Sequence, residues 1–334
     1  MKGKITRRDM IAGSVAGMGL TSLTKQGAAS SKSPEMEGKM PMRPLGKTGE
    51  MVSLMAFGGG SRYAGLVKTE KEAEEMIHRA IELGVNYFDN AYAYGEDQKS
   101  QKLYGRFLCP TYRDQIFLTN KSIQRKADDY LREYDHSVIN MKTDTFDLMY
   151  FHSVDTMEDL DIITGPGGAL EAVRKLIDQK VVRFIGMSGH RNADVFIEAI
   201  DRIGLDVVMF PINAAHRYPG DAASAHDLMK RAMPHAIEND VAVMAMKTTA
   251  QDKLIGKGGV TAPELVRYAM SQPVSGTVVG MPGMKVLESC CKIARTFTPM
   301  TADERASMER KVASAVSDGS LYYLRPDYKD GDMA

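Results

Sequence analysis

The sequence contains no tryptophan, only three cysteines and no excess of either charge. Its 43 Lys and Arg residues balance 43 Asp and Glu residues, and a formal net charge of +0 argues against a nucleic-acid-binding protein. Three cysteines do not make a disulfide framework, and without a CxxC pair or a Cys/His cluster the sequence predicts no metal site. We interpret the adjacent Cys290 and Cys291 as buried structural residues, because free cysteine usually packs as a small hydrophobe.

The first 40 residues differ in composition from the rest of the chain. Arg7 and Arg8 precede a mildly apolar run at residues 10–20, which is too short for a stable membrane span of about 20 apolar residues. A lysine and several small residues follow, and this order of parts resembles a twin-arginine export signal. The resemblance implies a signal peptide at 1–29, a linker at 30–40, the twin-arginine translocase as a partner during export, and a periplasmic or otherwise exported protein. The alternatives are a disordered basic tail and a cytoplasmic protein.

From residue 41 onward, short apolar runs alternate with amphipathic segments. A β-hairpin at 42–57, with its turn at 46–49, comes first. Buried strands are then predicted at 54–57, 85–88, 116–119, 146–151, 184–187, 207–210, 241–246 and 276–279. Helices are predicted between and after them at 69–83, 100–108, 127–138, 168–179, 192–203, 227–239, 262–271 and 284–294.

Eight strand–helix units over about 250 residues predict the α/β architecture of a (β/α)8 TIM barrel. We place this barrel at 41–320, with the N-terminal hairpin before it, an extra C-terminal helix at 301–316, and a polar, aromatic tail at 321–334. The alternative is a doubly wound sheet, which usually opens with a GxGxxG turn. The glycines at 58–60 lack that spacing and instead indicate a flexible loop.

Polar side chains lie where three consecutive predicted strands end. Asp89 ends the second strand, Tyr94 lies on its loop, and Lys121 and His152 follow the third and fourth. In a barrel these positions share one rim. A phenol has a pKa of about 10, and we expect a nearby ammonium to lower it, with the carboxylate holding the ammonium in place. Together the four side chains predict a proton donor opposite a hydride donor, as carbonyl reduction requires. Taken alone, Asp89 is as compatible with a cap and Tyr94 with a surface aromatic, and Lys121 and His152 are more often a solvated lysine and a structural histidine.

Several motifs together carry a family resemblance. They are PLGKTG at 44–49, FDNAYAYG at 88–95, TNK at 119–121, DLMYFH at 147–152 and FIGMSG at 184–189. Over residues 41–297 the chain resembles the aldo-keto reductases. The resemblance implies an NAD(P)(H)-dependent oxidoreductase that reduces a small-molecule aldehyde, ketone or sugar carbonyl. It implies that Tyr94 is the general acid, assisted by Lys121 and Asp89, and that His152 places the carbonyl.

The resemblance also implies a nicotinamide cofactor, NADPH or NADH, held without a Rossmann fold. The implied cofactor-binding residues are Asp89, Ser188, Met209, Met246, Lys247, Gly280 and Lys285. Met209, Met246 and Val286 stand where the family commonly has a glutamine, a stacking aromatic and a phosphate-binding arginine, so the choice between the two cofactors stays open.

The missing stacking aromatic and the missing phosphate-binding arginine also motivate a second hypothesis, a nucleotide-binding regulatory or partner protein that uses the same barrel with little turnover. Further candidates for the pocket are Ser61, Tyr63, Tyr92 and His190.

Overall fold

The computed structural model describes residues 38–215, 227–316, 321–324, 328 and 330. The predicted signal peptide at 1–29 and most of the predicted linker lie outside this part of the chain. An antiparallel hairpin of β1 (Met42–Pro44) and β2 (Met51–Ser53) comes first, as predicted. Its turn contains Gly49 at φ +79°, a conformation that glycine adopts at no steric cost.

Eight parallel strands close into a barrel within the described residues, which confirms the predicted fold. They are β3 (Met55–Gly58), β4 (Tyr87–Asp89), β5 (Phe117–Ser122), β6 (Phe146–Phe151), β7 (Val182–Ser188), β8 (Val207–Pro211), β9 (Ala242–Met246) and β10 (Gly276–Gly280). Each pairs with the next along the chain, and the last strand, β10, pairs with β3 in the register Thr277 to Met55. The carboxyl ends of all eight strands therefore meet at one rim.

The helices surround the barrel close to the predicted positions. They are α1 (Ser61–Leu66), α2 (Glu70–Glu82), α3 (Lys99–Phe107), α4 (Cys109–Tyr112), α5 (Ala127–Met141), α6 (Met157–Thr164), α7 (Ala169–Asp178), α8 (Ala193–Ile203), α9 (Met233–Glu238), α10 (Ala262–Met270), α11 (Met284–Arg295) and α12 (Ala302–Ala313). Thr69 caps α2, since its side chain accepts a hydrogen bond from the Glu72 N–H at 3.1 Å. The sequence did not indicate α1, α4 or α6, and a π-helical turn, Leu228–Ala232, precedes α9.

The prediction of a flexible loop after β3 was wrong. Gly59 donates a backbone hydrogen bond to the Asp89 carbonyl at 2.9 Å, and helix α1 begins at Ser61. A Cβ on Gly59 would lie 2.6 Å from that same carbonyl oxygen. Glycine is required here by the close approach of two backbones, so this segment is fixed against the strand that carries the predicted site.

Two apolar cores hold the barrel together. The larger lies between strands and helices, and the smaller fills the barrel and the end beneath the hairpin, where Leu45 and Val52 are fully buried. Midway along the axis the Tyr87 and Tyr150 hydroxyls lie 2.7 Å apart. Because this interior is packed with side chains, reacting molecules have room only at the rim opposite the hairpin.

The structure also shows the environment of the cysteines and the lengths of the helices. Cys290 and Cys291 are free thiols in α11, and burial raises the pKa of each to about 12, as expected for the structural residues we predicted. No helix among the described residues has the length and apolarity to cross a membrane. The same residues contain no group of three His, Cys, Asp or Glu side chains arranged to hold a metal ion.

Candidate active site

Asp89 and Lys121 form an ion pair at the rim of the barrel. Asp89 ends β4, Lys121 lies in β5, and both side chains are almost fully buried. The Lys121 Nζ lies 2.5 and 2.6 Å from the two carboxylate oxygens and donates a third bond to the Asn90 carbonyl at 3.0 Å. Thr119 donates to the same carboxylate at 3.1 Å. Two charges out of water persist only when paired and hydrogen-bonded in this way, so the lysine is held in one position.

Tyr94 lies directly over this ion pair. Its hydroxyl is 3.2 Å from the Lys121 Nζ, and its ring packs 3.6 Å from the position that a Cβ on Gly60 would take. Burial raises the pKa of Tyr94 well above its ordinary value, and the carboxylates of Asp330 and Asp89 raise it further. The pKa of Tyr94 is therefore raised overall, whereas we expected the nearby ammonium to lower it.

His152 completes the predicted group of four. It follows β6, is fully buried, and its ring meets the Tyr94 ring edge to face at a centroid distance of 5.6 Å. Its Nε2 lies 2.8 Å from Asp330 Oδ2, while its Nδ1 has no hydrogen-bond partner among the described residues. Burial lowers the pKa of His152. A neutral ring that donates from Nε2 fits both observations.

Asp330 is the site residue that the sequence did not indicate. Its side chain is 6% exposed, and its carboxylate accepts hydrogen bonds from the Lys247 Nζ at 2.8 Å and the Tyr328 hydroxyl at 2.6 Å. The other oxygen faces His152. Burial opposes ionisation, but Lys247 and His190 outweigh it and hold the pKa of Asp330 well below its usual range. The residue belongs to a polar tail without a motif, so no local pattern distinguishes it.

His190 lies on the far side of this carboxylate. Its Nε2 is 3.6 Å from Asp330 Oδ1, and its Nδ1 is 3.4 Å from Asp155 Oδ2. Burial is opposed by the charges of Asp330 and Asp155, which raise the pKa of His190. Of the other candidates, Ser61 lines the cavity described next, whereas Tyr63 packs in the core. Tyr92 lies away from the site, with its hydroxyl 3.2 Å from His136 Nδ1.

A cavity of about 470 Å³ extends from Tyr94 toward α11. Six of the seven predicted cofactor-binding residues line it, namely Asp89, Met209, Met246, Lys247, Gly280 and Lys285. Ser188 is buried outside this lining, with its Oγ accepting from the Ser153 N–H at 3.3 Å.

The residues that line the cavity fit a nicotinamide nucleotide. The two methionines present apolar faces near Tyr94 for a planar ring, and the exposed Lys285 supplies a cation at the far end.

An eight-stranded parallel barrel with a buried Asp, Tyr, Lys and His at its rim defines a class of oxidoreductases. The model of the aldo/keto reductase family matches residues 54–263. Because this match covers more than half of the sequence, the chain belongs to the aldo/keto reductase family. It is an NAD(P)H-dependent oxidoreductase that reduces carbonyl groups.

Two curated relatives share less than a third of their aligned residues with this chain. L-galactose dehydrogenase of Arabidopsis thaliana is 27% identical over 231 residues, which are 66% of this chain and 69% of that protein. A 6-dehydroglucose reductase of Novosphingobium aromaticivorans is 29% identical over 160 residues, 44% of this chain and only 50% of that protein. Among solved structures, an aldo-keto reductase from Bacillus halodurans in its holo form covers 84% of this chain and 99% of its own, with a TM-score of 0.65 and 22% identity. That likeness concerns the fold alone.

Proposed function

We propose that Tyr94 is the general acid of carbonyl reduction at this site. The observation that carries the proposal is the convergence of Tyr94, Lys121 and His152 on one small volume, with the Lys121 Nζ 3.2 Å from the phenol oxygen. A nicotinamide bound in the cavity would supply hydride to the carbonyl carbon. Met209 and Met246 would pack on its ring, and Lys285 would meet the phosphate end.

The chain's own residues have separable roles in this proposal. His152 donates a hydrogen bond to the carbonyl oxygen and fixes its position. Tyr94 transfers its proton to that oxygen as negative charge develops there. Lys121 stabilises the phenolate left behind, and Asp89 holds Lys121 in place. The high pKa of Tyr94 is compatible with this order, because the acceptor becomes an alkoxide, which is the stronger base.

A turnover assay tests the function directly. Purified protein should oxidise NADPH or NADH in the presence of members of a panel of aldehydes, ketones and sugars, followed by nucleotide absorbance. Cofactor omitted from one arm and carbonyl omitted from another give the background rates. Tight cofactor binding with no turnover across the whole panel would instead support the nucleotide-binding regulatory or partner protein, for which the methionine-lined cavity is the supporting observation.

We propose that the protein uses NADPH and NADH with little discrimination. Lys285 is exposed, lies beside Val286 at the cavity wall and forms no ion pair with the other described residues. One exposed lysine lacks the bidentate fork of arginine and contributes about 1 kcal/mol or less to binding a 2′-phosphate. We therefore expect the dissociation constants for NADPH and NADH to differ by about tenfold or less.

Titration of both nucleotides by fluorescence checks this preference. In Lys285→Ala the two dissociation constants should become nearly equal, whereas Lys292→Ala, an exposed lysine on the same helix outside the cavity lining, should leave the ratio as it is. A preference of more than about a hundredfold for NADPH corresponds to about 2.7 kcal/mol. It would contradict the proposed weak discrimination, because one exposed lysine does not contribute that much binding free energy.

We also propose that the chain is exported by the twin-arginine pathway, on the evidence of its first 29 residues. Export of a folded protein would let cofactor bound in the cytoplasm travel inside the barrel. Replacing Arg7 and Arg8 by Lys preserves the charge but removes the arginine pair, so the protein should accumulate in the cytoplasmic fraction. The control replaces Lys2 and Lys4 by Arg. An unchanged location of the Arg7/Arg8 variant would reject this route.

A further inference from the structure

Three basic side chains converge on one carboxylate at the rim. Lys247 lies 2.8 Å from Asp330 Oδ1, His152 lies 2.8 Å from Oδ2, and His190 lies 3.6 Å from Oδ1. Tyr328 adds a hydroxyl 2.6 Å from Oδ1. The mechanism proposed above uses only His152 of this group. Lys247, His190 and Tyr328 take no part in the steps of that mechanism.

The backbone that carries the basic groups belongs to the barrel loops, although the tail residue Tyr328 also contacts Lys247 and His190. Lys247 follows β9 in a left-handed conformation with φ +54°, and its carbonyl accepts a hydrogen bond from Asn213 Nδ2 at 3.0 Å. The side chain of Asp155 faces the other nitrogen of His190 at 3.4 Å, and its Oδ1 accepts the His190 backbone N–H. His152, His190 and Lys247 thus come from the loops after β6, β7 and β9, and the tail supplies Tyr328 and the carboxylate of Asp330.

The two oxygens of the Asp330 carboxylate meet different partners. Oδ2 faces His152, which is the position that a carbonyl oxygen takes when His152 places it for Tyr94. Oδ1 faces Lys247 and His190. The two oxygens of Asp330 contact His152 on one side and Lys247 and His190 on the other. A ligand that replaces Asp330 therefore needs one oxygen for His152 and a negatively charged oxygen a few ångströms away. A 2-oxo acid has this arrangement, since its keto oxygen and carboxylate are on adjacent carbons.

Charge favours such a ligand over a neutral one. His190 is fully buried and the Lys247 side chain is only 12% exposed. If a neutral molecule displaced Asp330, His190 would keep Asp155 as a partner, but Lys247 would lose the carboxylate it pairs with among the described residues, which is unfavourable for a charge that is largely buried. A substrate carboxylate restores the charge balance that Asp330 provides.

We propose that the preferred substrates of this reductase are 2-oxo acids, with the keto oxygen at His152 and the carboxylate on Lys247 and His190 in place of Asp330. The proposal rests on the proposed function of the same site. In the reaction a C–H bond forms at carbon 2 from the hydride, the reduced nicotinamide is oxidised, and the keto oxygen takes its proton from Tyr94. The product is the 2-hydroxy acid, and Tyr94 regains a proton from water.

Matched substrates that differ only in charge provide the test. Pyruvate and pyruvamide share the reacting ketone, as do phenylpyruvate and its amide. For the full-length protein we expect kcat/KM for each acid to exceed that for its amide by at least about tenfold, the value of one desolvated charge pair. Lys247→Gln should bring the ratio close to one, and Lys247→Arg should restore part of it. Lys253→Gln, an exposed lysine on the same loop, should keep the wild-type ratio.

The variant Asp330→Asn shows whether Asp330 competes with the substrate for Lys247 and His190 or takes part in catalysis. Because the neutral amide competes less well for Lys247 and His190, we expect a KM for the 2-oxo acid several-fold below that of wild type. Loss of turnover on the amide as well would show that Asp330 acts in catalysis and would overturn the proposal. Equal kcat/KM for acids and amides in the wild-type protein would overturn it too, while leaving carbonyl reduction intact.

Oxamate, an unreactive analogue of a 2-oxo acid, gives a readout that needs no turnover. Calorimetry on the cofactor-loaded protein should show oxamate binding that weakens at least about tenfold in Lys247→Gln and is retained in Lys253→Gln. If no carbonyl compound is reduced but oxamate binds in this pattern, the proposed function fails and the carboxylate site stands. Absence of oxamate binding to the wild-type protein would reject the site.

Discussion

Replacing Tyr94 by Phe is expected to lower kcat for carbonyl reduction by about 10²- to 10⁴-fold, the usual contribution of a positioned general acid. The substitution removes only the hydroxyl, which is the atom 3.2 Å from Lys121. The ring and its edge-to-face contact with His152 remain, so the pocket keeps its shape. Pre-steady-state measurement of nucleotide oxidation separates this chemical step from cofactor binding, whose dissociation constant should change by less than about twofold.

Tyr92→Phe is the matched control for this experiment. It removes a phenol hydroxyl two residues earlier in the same loop, where its partner is His136. Its kcat should equal that of the wild type. If Tyr94→Phe kept the wild-type rate with a normal cofactor affinity, another group would have to donate the proton and the assigned mechanism would be abandoned.

Replacing Lys121 by Met is expected to lower the free energy of unfolding by about 3–5 kcal/mol, in addition to abolishing most activity. The cost arises because Asp89 would stay buried without its counter-charge. Among the described residues, the Lys121 ammonium donates two of the three hydrogen bonds that the Asp89 carboxylate accepts from side chains, and only the bond from Thr119 would remain. Urea denaturation monitored by tyrosine fluorescence and circular dichroism measures the difference.

Two variants show whether burial of the charge is the cause. The double variant Asp89→Asn/Lys121→Met removes both charges and should be less destabilised than the sum of the two single variants. Lys102→Met breaks an exposed ion pair with Asp97 and should cost about 1 kcal/mol or less. Equal destabilisation by Lys121→Met and Lys102→Met would refute the account of the buried pair.

Much of the fold followed from local sequence patterns. Non-alternating apolar runs predicted the parallel strands, and the apolar face of 69–83 together with Thr69 predicted α2. Such signals fail where a contact from a distant part of the chain decides the conformation. The backbone at Gly59 is fixed by Asp89, and this contact is invisible in a run of glycines. Periodicity likewise could not show α6, whose eight residues are too few for a clear apolar face.

The sequence predicted only those site residues that lie at or just after the end of a barrel strand, because the strand order fixes their position at the rim. Asp89, Tyr94, Lys121 and His152 follow consecutive strands, so the barrel brings them together once the strands are assigned. Asp330 lies 178 residues from His152, in a polar tail whose path no periodicity defines. The direction of the Tyr94 pKa shift was mispredicted for the same reason, since burial and the charge of Asp330 raise it.

Closure of the barrel has a consequence for the order of events during folding. The pairing of β10 with β3 joins Thr277 to Met55, almost at the two ends of the barrel sequence. Contacts so far apart form late and slowly, because a long loop must be closed before they stabilise anything. On the ribosome, all four residues of the catalytic group are therefore synthesised before the barrel can close. Until β10 has been synthesised, the apolar edge of β3 has no strand to pair with. An unpaired apolar strand edge is prone to aggregate, so this topology favours chaperone binding to the nascent chain during that interval.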